Sequence, residues 1–216
     1  MLEEEFEYGL VVDAGSSGSR IFLYKWPSGG GPTIEVFNEE ITPGLSDQEH
    51  GLTALQKLVS SASRNLANHH HGVDAHDVPI YLGATAGLRR LESDEREATM
   101  IRIRSLLHKS DFLFEDNYAR VISGEEEGVY DWLTINYMKN GGALPTLSTP
   151  TYGALDLGGA STQISFRSKG RRFLMSKDAF PLQIDNSKYL LYSQSFLHYG
   201  VDEARLTHAT QTASIK

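Results

Sequence analysis

The sequence predicts an α/β fold that contains a duplicated domain, and two observations lead to this prediction. Segments of alternating or β-branched apolar residues, typical of strands, are interspersed with segments whose apolar residues recur at helical spacing. In addition, a pattern of strand, Asp-X-Gly, small residues and strand occurs twice, once at Asp13 and once at Asp156. Because the two copies lie far apart in the chain, they indicate a duplicated domain rather than a solenoid.

The first half of the chain alternates between strand and helix patterns. A buried strand and its partner flank the turn AGSSGS, and the alternating segment TIEVFNEEI predicts a third strand. Leucines at helical spacing and an acidic first turn behind a serine predict two helices. In order, the predicted elements are the strands Tyr8–Asp13, Arg20–Trp26 and one from Thr33, a helix over Gly51–Asn68, a strand from Val78, and a helix over Ser93–His108 with Ser93 as its N-cap.

The second half repeats the strand–turn–strand pattern after a helix. The helical segment EEEGVYDWLTINYMKN follows a short strand in YARVISG, and YGALDLGGASTQISFRS predicts two strands around a turn of small residues. The segment RRFLMSKDAF is a candidate third strand. The tail from Ser193 to Thr212 has a weak helical pattern, so we predict a helix there.

The composition narrows the classes of function. The 216-residue chain carries 20 basic and 28 acidic residues, and its formal net charge of −8 argues against a broad nucleic-acid or anionic-membrane surface. The absence of cysteine excludes disulfides, thiolate metal sites and cysteine nucleophiles. No apolar run approaches the ~20 residues of a membrane helix, and the acidic start MLEEEFEYGL is unlike a signal peptide. We therefore expect either a cytosolic protein or one whose targeting segment is absent from this chain.

The two Asp-X-Gly turns predict a metal–phosphate site. Glycines in such a turn allow several backbone N–H groups to point inward, and these groups attract anions. A carboxylate beside a bound phosphate would repel it unless a cation lay between them. Asp13 and Asp156 could therefore hold a hydrated divalent cation, since Mg²⁺ usually keeps several waters. The alternative is two unrelated hairpins with Asp and Gly as turn residues, which the recurrence of the pattern disfavours.

Two further segments are candidate site elements, and each also has a purely structural explanation. Acidic residues stabilise a helix N-terminus through the helix dipole, whereas a glutamate near a metal–phosphate site can act as a general base toward water. Spacing alone does not choose among Glu125, Glu126 and Glu127. The turn GATAGLRR, with Thr85 at its head, is either a loop packed under a strand end or part of the site. His69–His71 lie in a polar loop and are assigned no metal.

Four segments together resemble the apyrases, the nucleoside triphosphate diphosphohydrolase family. They are VVDAGSSGSRIFLYKW, YLGATAGLRRL, VISGEEEGVYDWLTINY and GALDLGGASTQISF, in the family's order within residues 9–166. DAGSSGSRIFLYKW and FLFEDNYARVISGEEEGVYDW look most like the intracellular Golgi or lysosomal-vesicle branch. The family belongs to the actin, sugar-kinase and chaperone ATPase superfamily. The resemblance therefore implies a duplicated actin-like, ribonuclease-H-like fold, with residues 1–123 as a complete first lobe and 124–216 as a partial second lobe.

The resemblance also implies the roles of the site residues. Asp13 and Asp156 would hold Ca²⁺ or Mg²⁺ through water, with Thr85 in the outer shell of the metal. The family's catalytic glutamate directly precedes the glycine of its third motif, which selects Glu127, and Ser161 and Gln163 would orient the attacking water. The residues implied in phosphate binding are Ser16, Ser17, Gly18, Ser19 and Arg20 on one side and Gly158, Gly159, Ala160 and Ser161 on the other.

The function implied by the resemblance is the hydrolysis of terminal phosphates of nucleoside tri- or diphosphates, which depends on a divalent metal and on water activated by a glutamate. The partner is a nucleotide rather than a nucleic acid. A Golgi or other endomembrane location, and any membrane anchor, would depend on segments absent from this chain.

The resemblance is incomplete, and this leaves two alternative functions. The family's fifth motif and its returning helix have no counterpart after Phe166, so we expect a C-terminally truncated relative. A truncated chain could be a non-catalytic nucleotide-binding protein with an unpaired sheet edge. The other alternative is an exopolyphosphatase or guanosine-pentaphosphate phosphatase, whose second loop is closer to DIGGGSTE. Ala160, Gln163 and Gly128 differ from the residues usual in that family.

Overall fold

The strand and helix patterns fold into two structural units in the computed structural model, which describes residues 5–168 and 179–213. Unit 1 spans Met1–Val121 and unit 2 spans Ile122–Lys216. Each unit has its own sheet and its own apolar core. The α/β fold class predicted from the sequence is confirmed in both units.

Unit 1 contains a mixed sheet with helices packed on it. Its described strands are β1 (Phe6–Ala14), β2 (Ser19–Pro27), β3 (Ile34–Ile41), β4 (Ile80–Ala84) and β5 (Ala119–Val121), and its described helices are α1 (Gly51–His69), α2 (Ala86–Arg89) and α3 (Ser93–Leu107). The strand order is β3-β2-β1-β4-β5. β1, β2 and β3 are antiparallel neighbours, whereas β4 runs parallel to β1 and to β5. The parallel strands β1 and β4 therefore end at the same edge of the sheet, where the first Asp-X-Gly turn begins.

The spacing of buried apolar residues explains why these segments of unit 1 form strands and helices. On β1, Leu10 and Val12 are fully buried while the intervening Val11 is exposed, the two-residue period of a strand. On α1, Leu55 and Leu58 are fully buried at helical spacing. Burying a side chain of this size stabilises a fold by about 1.5–3 kcal/mol. Among the described residues, no helix is both long and apolar enough to cross a membrane.

Unit 2 contains an antiparallel sheet and two described helices. Its described strands are β6 (Ala154–Leu157), β7 (Ser161–Arg167), β8 (Ala179–Ile184) and β9 (Ser187–Leu197), and the helices are α4 (Gly124–Lys139) and α5 (Val201–Ala213). The strand order is β6-β7-β9-β8, with antiparallel pairing throughout. β6 lies at the edge of this sheet, and its Leu155 and Leu157 are 77% and 63% exposed.

Helix α4 is fixed at both ends. At its start, Ser123 Oγ accepts from the Glu126 N–H at 3.1 Å, and the Glu126 carboxylate accepts from the Ser123 N–H at 3.0 Å, which together form a capping box. Further along, the fully buried Trp132 packs on Tyr189 of β9 with 5.7 Å between ring centroids. Asn136 Nδ2 donates to the carbonyl oxygen of Tyr152, just before β6, at 3.0 Å, and the Tyr152 N–H donates to Asn136 Oδ1 at 2.8 Å. These contacts seat the helix on the sheet of unit 2.

Three details depart from the sequence prediction. The tail predicted as helical from Ser193 is a strand as far as Leu197, and the helix begins only at Val201. The reason is that buried positions on β9 include small polar residues such as Ser193, which obscure the apolar alternation of a strand. Helix α3 has Glu92 at its N-cap position, and the predicted cap Ser93 is its first helical residue. Most of the candidate strand RRFLMSKDAF falls on residues 171–178, outside the described residues.

Candidate active site

The first Asp-X-Gly turn joins β1 to β2 and packs against two distant glycines of unit 1. Asp13, at its start, is half-buried. A Cβ on Gly44 would lie 2.7 Å from the carbonyl oxygen of Gly15, and a Cβ on Gly87 would lie 3.0 Å from Ser16 Cα. These distances are shorter than van der Waals contact, so a side chain at either position would collide with the backbone of the turn. The two glycines therefore allow the turn to pack against the segments that carry them.

The polar residues of this first turn differ in accessibility. The structure places Ser16 half-buried, Ser17 exposed, and Gly18 and Ser19 buried. The Ser19 hydroxyl oxygen is itself buried, so it faces protein rather than solvent. Arg20 is exposed and forms an ion pair with Glu40, with 3.1 Å between Arg20 Nε and Glu40 Oε2. The accessible hydroxyl groups of the turn are thus those of Ser16 and Ser17.

Thr85 follows β4 directly and lies beside the first turn. It is buried, its N–H donates to the carbonyl oxygen of Ala14 at 3.1 Å, and its Oγ1 lies 3.4 Å from the same oxygen. The Thr85 carbonyl accepts from the Arg89 N–H at 3.1 Å, which starts the short helix α2. The GATAGLRR segment therefore does pack under a strand end, and it places Thr85 next to the residue that follows Asp13.

The second Asp-X-Gly turn joins β6 to β7 in unit 2. The turn is closed by a hydrogen bond of 3.0 Å from the Gly158 N–H to the carbonyl oxygen of Ser161. Gly158 and Gly159 are half-buried, and Ala160 is buried. The half-buried Asp156 places its Oδ2 atom 3.9 Å from where a Cβ on Gly158 would lie. The Asp156 carboxylate is therefore next to the backbone of the turn.

The three glutamates at the start of α4 have different surroundings. Glu126 accepts a hydrogen bond from the N–H of Ser123 in the capping box. Glu127 accepts a hydrogen bond of 2.9 Å from Nε2 of Gln163 on β7. Glu125 contributes its backbone carbonyl to a contact with β9. Helix capping thus accounts for Glu126, whereas Glu127 is directed toward a buried polar group.

Gln163 is the centre of a buried hydrogen-bond network. It is 1% exposed, and its Nε2 lies 2.9 Å from Glu127 Oε2, 2.8 Å from Ser161 Oγ and 3.0 Å from Ser195 Oγ. The Glu127 carboxylate, when ionised, can only accept hydrogen bonds, so it orients the Gln163 amide with Nε2 toward it. The amide has two N–H protons for these three neighbouring oxygens. Within the described residues, the buried Gln163 Oε1 has no hydrogen-bond partner.

Ser195 is the member of this network that the sequence prediction missed. It lies on β9 as the direct cross-strand partner of Gln163. The helical pattern assigned to the tail gave no reason to place it opposite β7. The signal that could have identified it is the alternation in SKYLLYSQSFL, where Tyr189, Leu191 and Ser193 are buried and their neighbours are less so.

Gly128 brings the start of α4 close to the sheet. A Cβ on Gly128 would lie 2.8 Å from Ser193 Oγ, and this hydroxyl donates to the carbonyl oxygen of Glu125 at 2.7 Å. The close approach holds the first turn of α4, which carries Glu127, against β7 and β9. Glycine at this position allows the helix to approach β9 this closely.

The carboxylates of the two turns are candidate ligands for a divalent cation. Asp13 belongs to unit 1 and Asp156 to unit 2, each at the same place in its Asp-X-Gly pattern. Carboxylate oxygens are donors that Mg²⁺ and Ca²⁺ accept, so each turn carries a suitable ligand group. In the part of the chain that the structure describes, no group of three or more His, Asp or Glu side chains could hold a metal, the histidines at 69–71 included.

Comparison with known sequences finds relatives over most of the chain. The profile of the GDA1/CD39 (nucleoside phosphatase) family matches residues 1–215. The chain is 37% identical to ectonucleoside triphosphate diphosphohydrolase 5 of Ailuropoda melanoleuca, over 92% of this chain and 47% of that protein. It is 36% identical to ectonucleoside triphosphate diphosphohydrolase 6 of Mus musculus, over 94% and 45%, and 35% identical to probable apyrase 3 of Arabidopsis thaliana, over 93% and 42%. The chain thus spans about half the length of the curated relatives it matches.

Comparison with solved structures supports the fold. A nucleoside triphosphate hydrolase of Neospora caninum aligns with a TM-score of 0.68 and 22% identity, over 92% of this chain and 46% of that one. An exopolyphosphatase of Cytophaga hutchinsonii aligns with a TM-score of 0.52 and 14% identity, over 93% and 53%. At these identities the likeness concerns the fold alone. It confirms the predicted duplicated, actin-like fold with a partial second lobe.

Proposed function

Because the chain belongs to the GDA1/CD39 (nucleoside phosphatase) family, we propose that it hydrolyses the terminal phosphate of nucleoside tri- or diphosphates with the help of a divalent metal. The observation that carries this proposal is the hydrogen bond of 2.9 Å between Gln163 Nε2 and Glu127 Oε2. It joins a candidate base to a strand that follows directly from the second Asp-X-Gly turn. We further propose that the two units correspond to the lobes expected at residues 1–123 and 124–216.

The two Asp-X-Gly turns supply the proposed phosphate ligands. Backbone N–H groups are the main donors in this proposal, because such groups in glycine-rich turns form anion-binding concavities. The accessible hydroxyls of Ser16 and Ser17 add to them, whereas the buried Ser19 contributes through its backbone. The complete proposed set is Ser16, Ser17, Gly18, Ser19, Arg20 and Thr85 in unit 1, and Gly158, Gly159, Ala160 and Ser161 in unit 2.

Asp13 and Asp156 are the proposed holders of the cation, Ca²⁺ or Mg²⁺, through water. Thr85 is assigned to the outer shell because its hydroxyl lies beside the residue after Asp13. When bound, the cation neutralises phosphate charge, which is the principal requirement of phosphoryl transfer besides positioning.

Glu127 is the proposed general base, and Gln163 and Ser161 are the proposed orienting residues. The Glu127 carboxylate takes a proton from a water molecule while the water oxygen forms a bond to the terminal phosphorus. The bond from that phosphorus to the bridging oxygen breaks, and its electron pair stays on the shortened nucleotide. The other water proton stays on the oxygen that joins phosphorus, and Gln163 Nε2, which donates to Glu127 Oε2, holds the base in place for this step.

The branch of the family, the cellular location and the partner are further parts of this proposal. The matched relatives numbered 5 and 6 favour the intracellular branch of the family, and hence the lumen of the Golgi or another endomembrane compartment. The proposed partner is a nucleotide, and the net charge of −8 disfavours a nucleic acid.

A matched pair of glutamate variants tests this function. Phosphate release from UDP, GDP and ATP is measured with Mg²⁺ or Ca²⁺ and again with a chelator. We expect chelation to abolish release and Glu127→Gln to lower kcat by about 10²–10⁴-fold, the usual contribution of a general base. Glu126→Gln is the control, because glutamine preserves a capping box.

Three results would change the proposed base or the proposed function. Equal rates for Glu127→Gln and the wild type would eliminate Glu127 as the base. Metal-dependent nucleotide binding without phosphate release would favour a non-catalytic nucleotide-binding protein. Phosphate release from polyphosphate but from no nucleotide would favour an exopolyphosphatase.

A further inference from the structure

The second Asp-X-Gly turn is in close contact with the start of helix α5. Gly200, which is buried, precedes the helix. A Cβ on Gly200 would overlap the carbonyl group of Gly159 and the amide nitrogen of Ala160. These are backbone atoms of the turn, which cannot rotate away as a side chain could. Glycine at this position therefore brings the helix start into direct contact with the turn.

The first N–H groups of α5 bind the carbonyl groups of the turn. The Val201 N–H donates to the Gly158 carbonyl oxygen at 2.9 Å, and the Asp202 N–H donates to the Gly159 carbonyl oxygen at 2.9 Å. The N–H groups at a helix start have no partner within the helix and need an acceptor elsewhere. Here the turn provides the acceptors, so these N–H groups are occupied and α5 does not itself offer an anion site.

The direction of the carbonyl groups fixes the direction of the amide groups that follow them. In a trans peptide the C=O and the next N–H point in opposite directions across a planar unit. The Gly158 and Gly159 carbonyls point toward α5, so the N–H groups of Gly159 and Ala160 point away from it. Among the described residues, these two N–H groups donate to no protein acceptor. In the described chain they therefore lack a protein acceptor, although Gly159 is half-buried and Ala160 is only 1% exposed.

We propose that Gly200 and the first turn of α5 are a positioning element that orients the Gly159 and Ala160 amides toward a phosphate group. The proposal rests on the function proposed above, and it adds a role for a segment outside the residues that bind the phosphate or activate water. The ligand class is a phosphate or phosphonate anion together with a divalent cation. The positioning acts through the backbone, so side-chain chemistry in α5 is not required.

A proline substitution at the first helical residue tests the hydrogen bond directly. Proline fits the backbone of a first helical residue and lacks an N–H, so Val201→Pro removes the bond to Gly158. Its ring carbon takes the place of the N–H and displaces the Gly158 carbonyl oxygen, which lies 2.9 Å from the Val201 nitrogen in the wild type. Val201→Ala is the matched control, because it also removes the valine side chain but keeps the N–H.

The measurement is the affinity for methylenediphosphonate with Mg²⁺, a probe that cannot be hydrolysed, by calorimetry and amide NMR. We expect wild-type binding to shift the Gly159 and Ala160 amide signals. We expect Val201→Pro to bind at least about fivefold more weakly than Val201→Ala, the effect of one hydrogen bond, and to unfold at a lower denaturant concentration because it lacks that bond. Gly200→Ala should weaken binding by about tenfold or more because the turn must move, whereas Gly29→Ala, where a Cβ meets nothing within 4 Å, should not.

The outcomes separate this inference from the proposed hydrolysis. Equal affinities of Val201→Pro and Val201→Ala would overturn the positioning role, whatever the activity of the chain. If the wild type binds the diphosphonate and the variants differ as expected, but no nucleotide is hydrolysed, the positioning role stands and the hydrolysis fails. A wild type that does not bind the diphosphonate would overturn the inference and also remove support for the second phosphate-binding turn.

Discussion

The two Asp-X-Gly turns share a sequence pattern but are supported in different ways. In unit 1, the turn between β1 and β2 packs against Gly44 and Gly87, which approach its backbone closely. In unit 2, the turn between β6 and β7 packs against Gly200 and also accepts hydrogen bonds from Val201 and Asp202. The first turn also accepts a hydrogen bond, from the Thr85 N–H to the Ala14 carbonyl oxygen at 3.1 Å. The difference is that in the second turn the accepting carbonyls are those of its glycines, Gly158 and Gly159, whereas the glycine–serine part of the first turn is supported by close steric contact.

This difference shows which part of a phosphate-binding turn its own sequence specifies. The small residues specify a hairpin that can expose its N–H groups. The support comes from glycines that are distant in the sequence. Gly44 lies 29 residues after Gly15, and Gly200 lies 41 residues after Gly159. A turn supported by contact should be sensitive to added volume, whereas a turn supported by hydrogen bonds should be sensitive to the loss of a donor.

The largest effect is expected when volume is added beside the first turn. A Cβ on Gly44 would lie 2.7 Å from the Gly15 carbonyl oxygen and 2.9 Å from the Ser16 carbonyl oxygen. Because both are backbone atoms, Gly44→Ala should lower the free energy of unfolding by about 1–3 kcal/mol, the typical cost of overpacking. Denaturant unfolding measures this loss, and the affinity for a nucleotide should fall with it.

Gly29→Ala is the control for this prediction, because Gly29 is exposed and a Cβ there meets nothing within 4 Å. Alanine at such a position should be neutral or stabilising by up to about 1 kcal/mol, since it restricts the unfolded chain. Equal stabilities of Gly44→Ala and Gly29→Ala would contradict the steric support of the first turn.

A smaller effect is expected where α4 meets the sheet of unit 2. A Cβ on Gly128 would lie 2.8 Å from Ser193 Oγ. The hydroxyl can rotate away only by giving up its hydrogen bond to Glu125, so Gly128→Ala should cost about 1 kcal/mol of unfolding free energy. The double variant Gly128→Ala/Ser193→Ala removes the obstructing oxygen. We expect it to be more stable than the sum of the two single changes predicts, and strict additivity would show that the two residues do not interact.

A substitution in the hydrogen-bond network around Gln163 is expected to lower the rate of phosphate release rather than the stability of the fold. Ser195→Ala removes one of three acceptors near Gln163 Nε2 and leaves Glu127 and Ser161 in contact with it. The amide then loses part of its restraint, so kcat should fall by about three- to tenfold with little change in KM, consistent with the loss of one hydrogen bond. Steady-state kinetics of phosphate release provide the test, and Ser195→Thr, which keeps the hydroxyl, should recover most of the rate. A change in KM alone would assign Ser195 to binding instead.

These residues also mark the limit of what the sequence could predict. The strands and helices of unit 1 follow local rules, such as the alternating burial of Leu10 and Val12, and they were predicted to within a few residues. The role of Ser195 depends on the pairing of β7 with β9, which joins residues 32 positions apart. Nothing within the segment SKYLLYSQSFL indicates that β7 is its neighbouring strand, and buried serine in this segment weakens its apolar pattern. The S-x-x-E spacing of Ser123 and Glu126 is a capping-box signal that the sequence prediction missed, whereas the direction of Glu127 depends on the sheet that α4 packs on.

The smallest effect concerns pH and is expected in unit 1, away from both turns. Burial lowers the pKa of His70 below its usual value of 6.5, and the nearby Lys25, His69 and His71 lower it further. The His70 ring packs edge-on against Tyr8 of β1, with 5.3 Å between ring centroids. Because the folded state binds this proton less readily than the unfolded state, the neutral imidazole stabilises the fold above pH 6.5. That stability is lost as the pH falls from there through the lowered pKa of the folded state.

Denaturant unfolding at pH 7.5 and at about pH 5 therefore separates His70 from its neighbours. His70→Gln cannot take up a proton, so its free energy of unfolding should fall less between the two pH values than that of the wild type. His71→Gln, in the same exposed loop, is the matched control and should keep the wild-type dependence. If His70→Gln and His71→Gln reduced the dependence equally, the effect would come from the summed charge of the loop rather than from the burial of His70 against Tyr8.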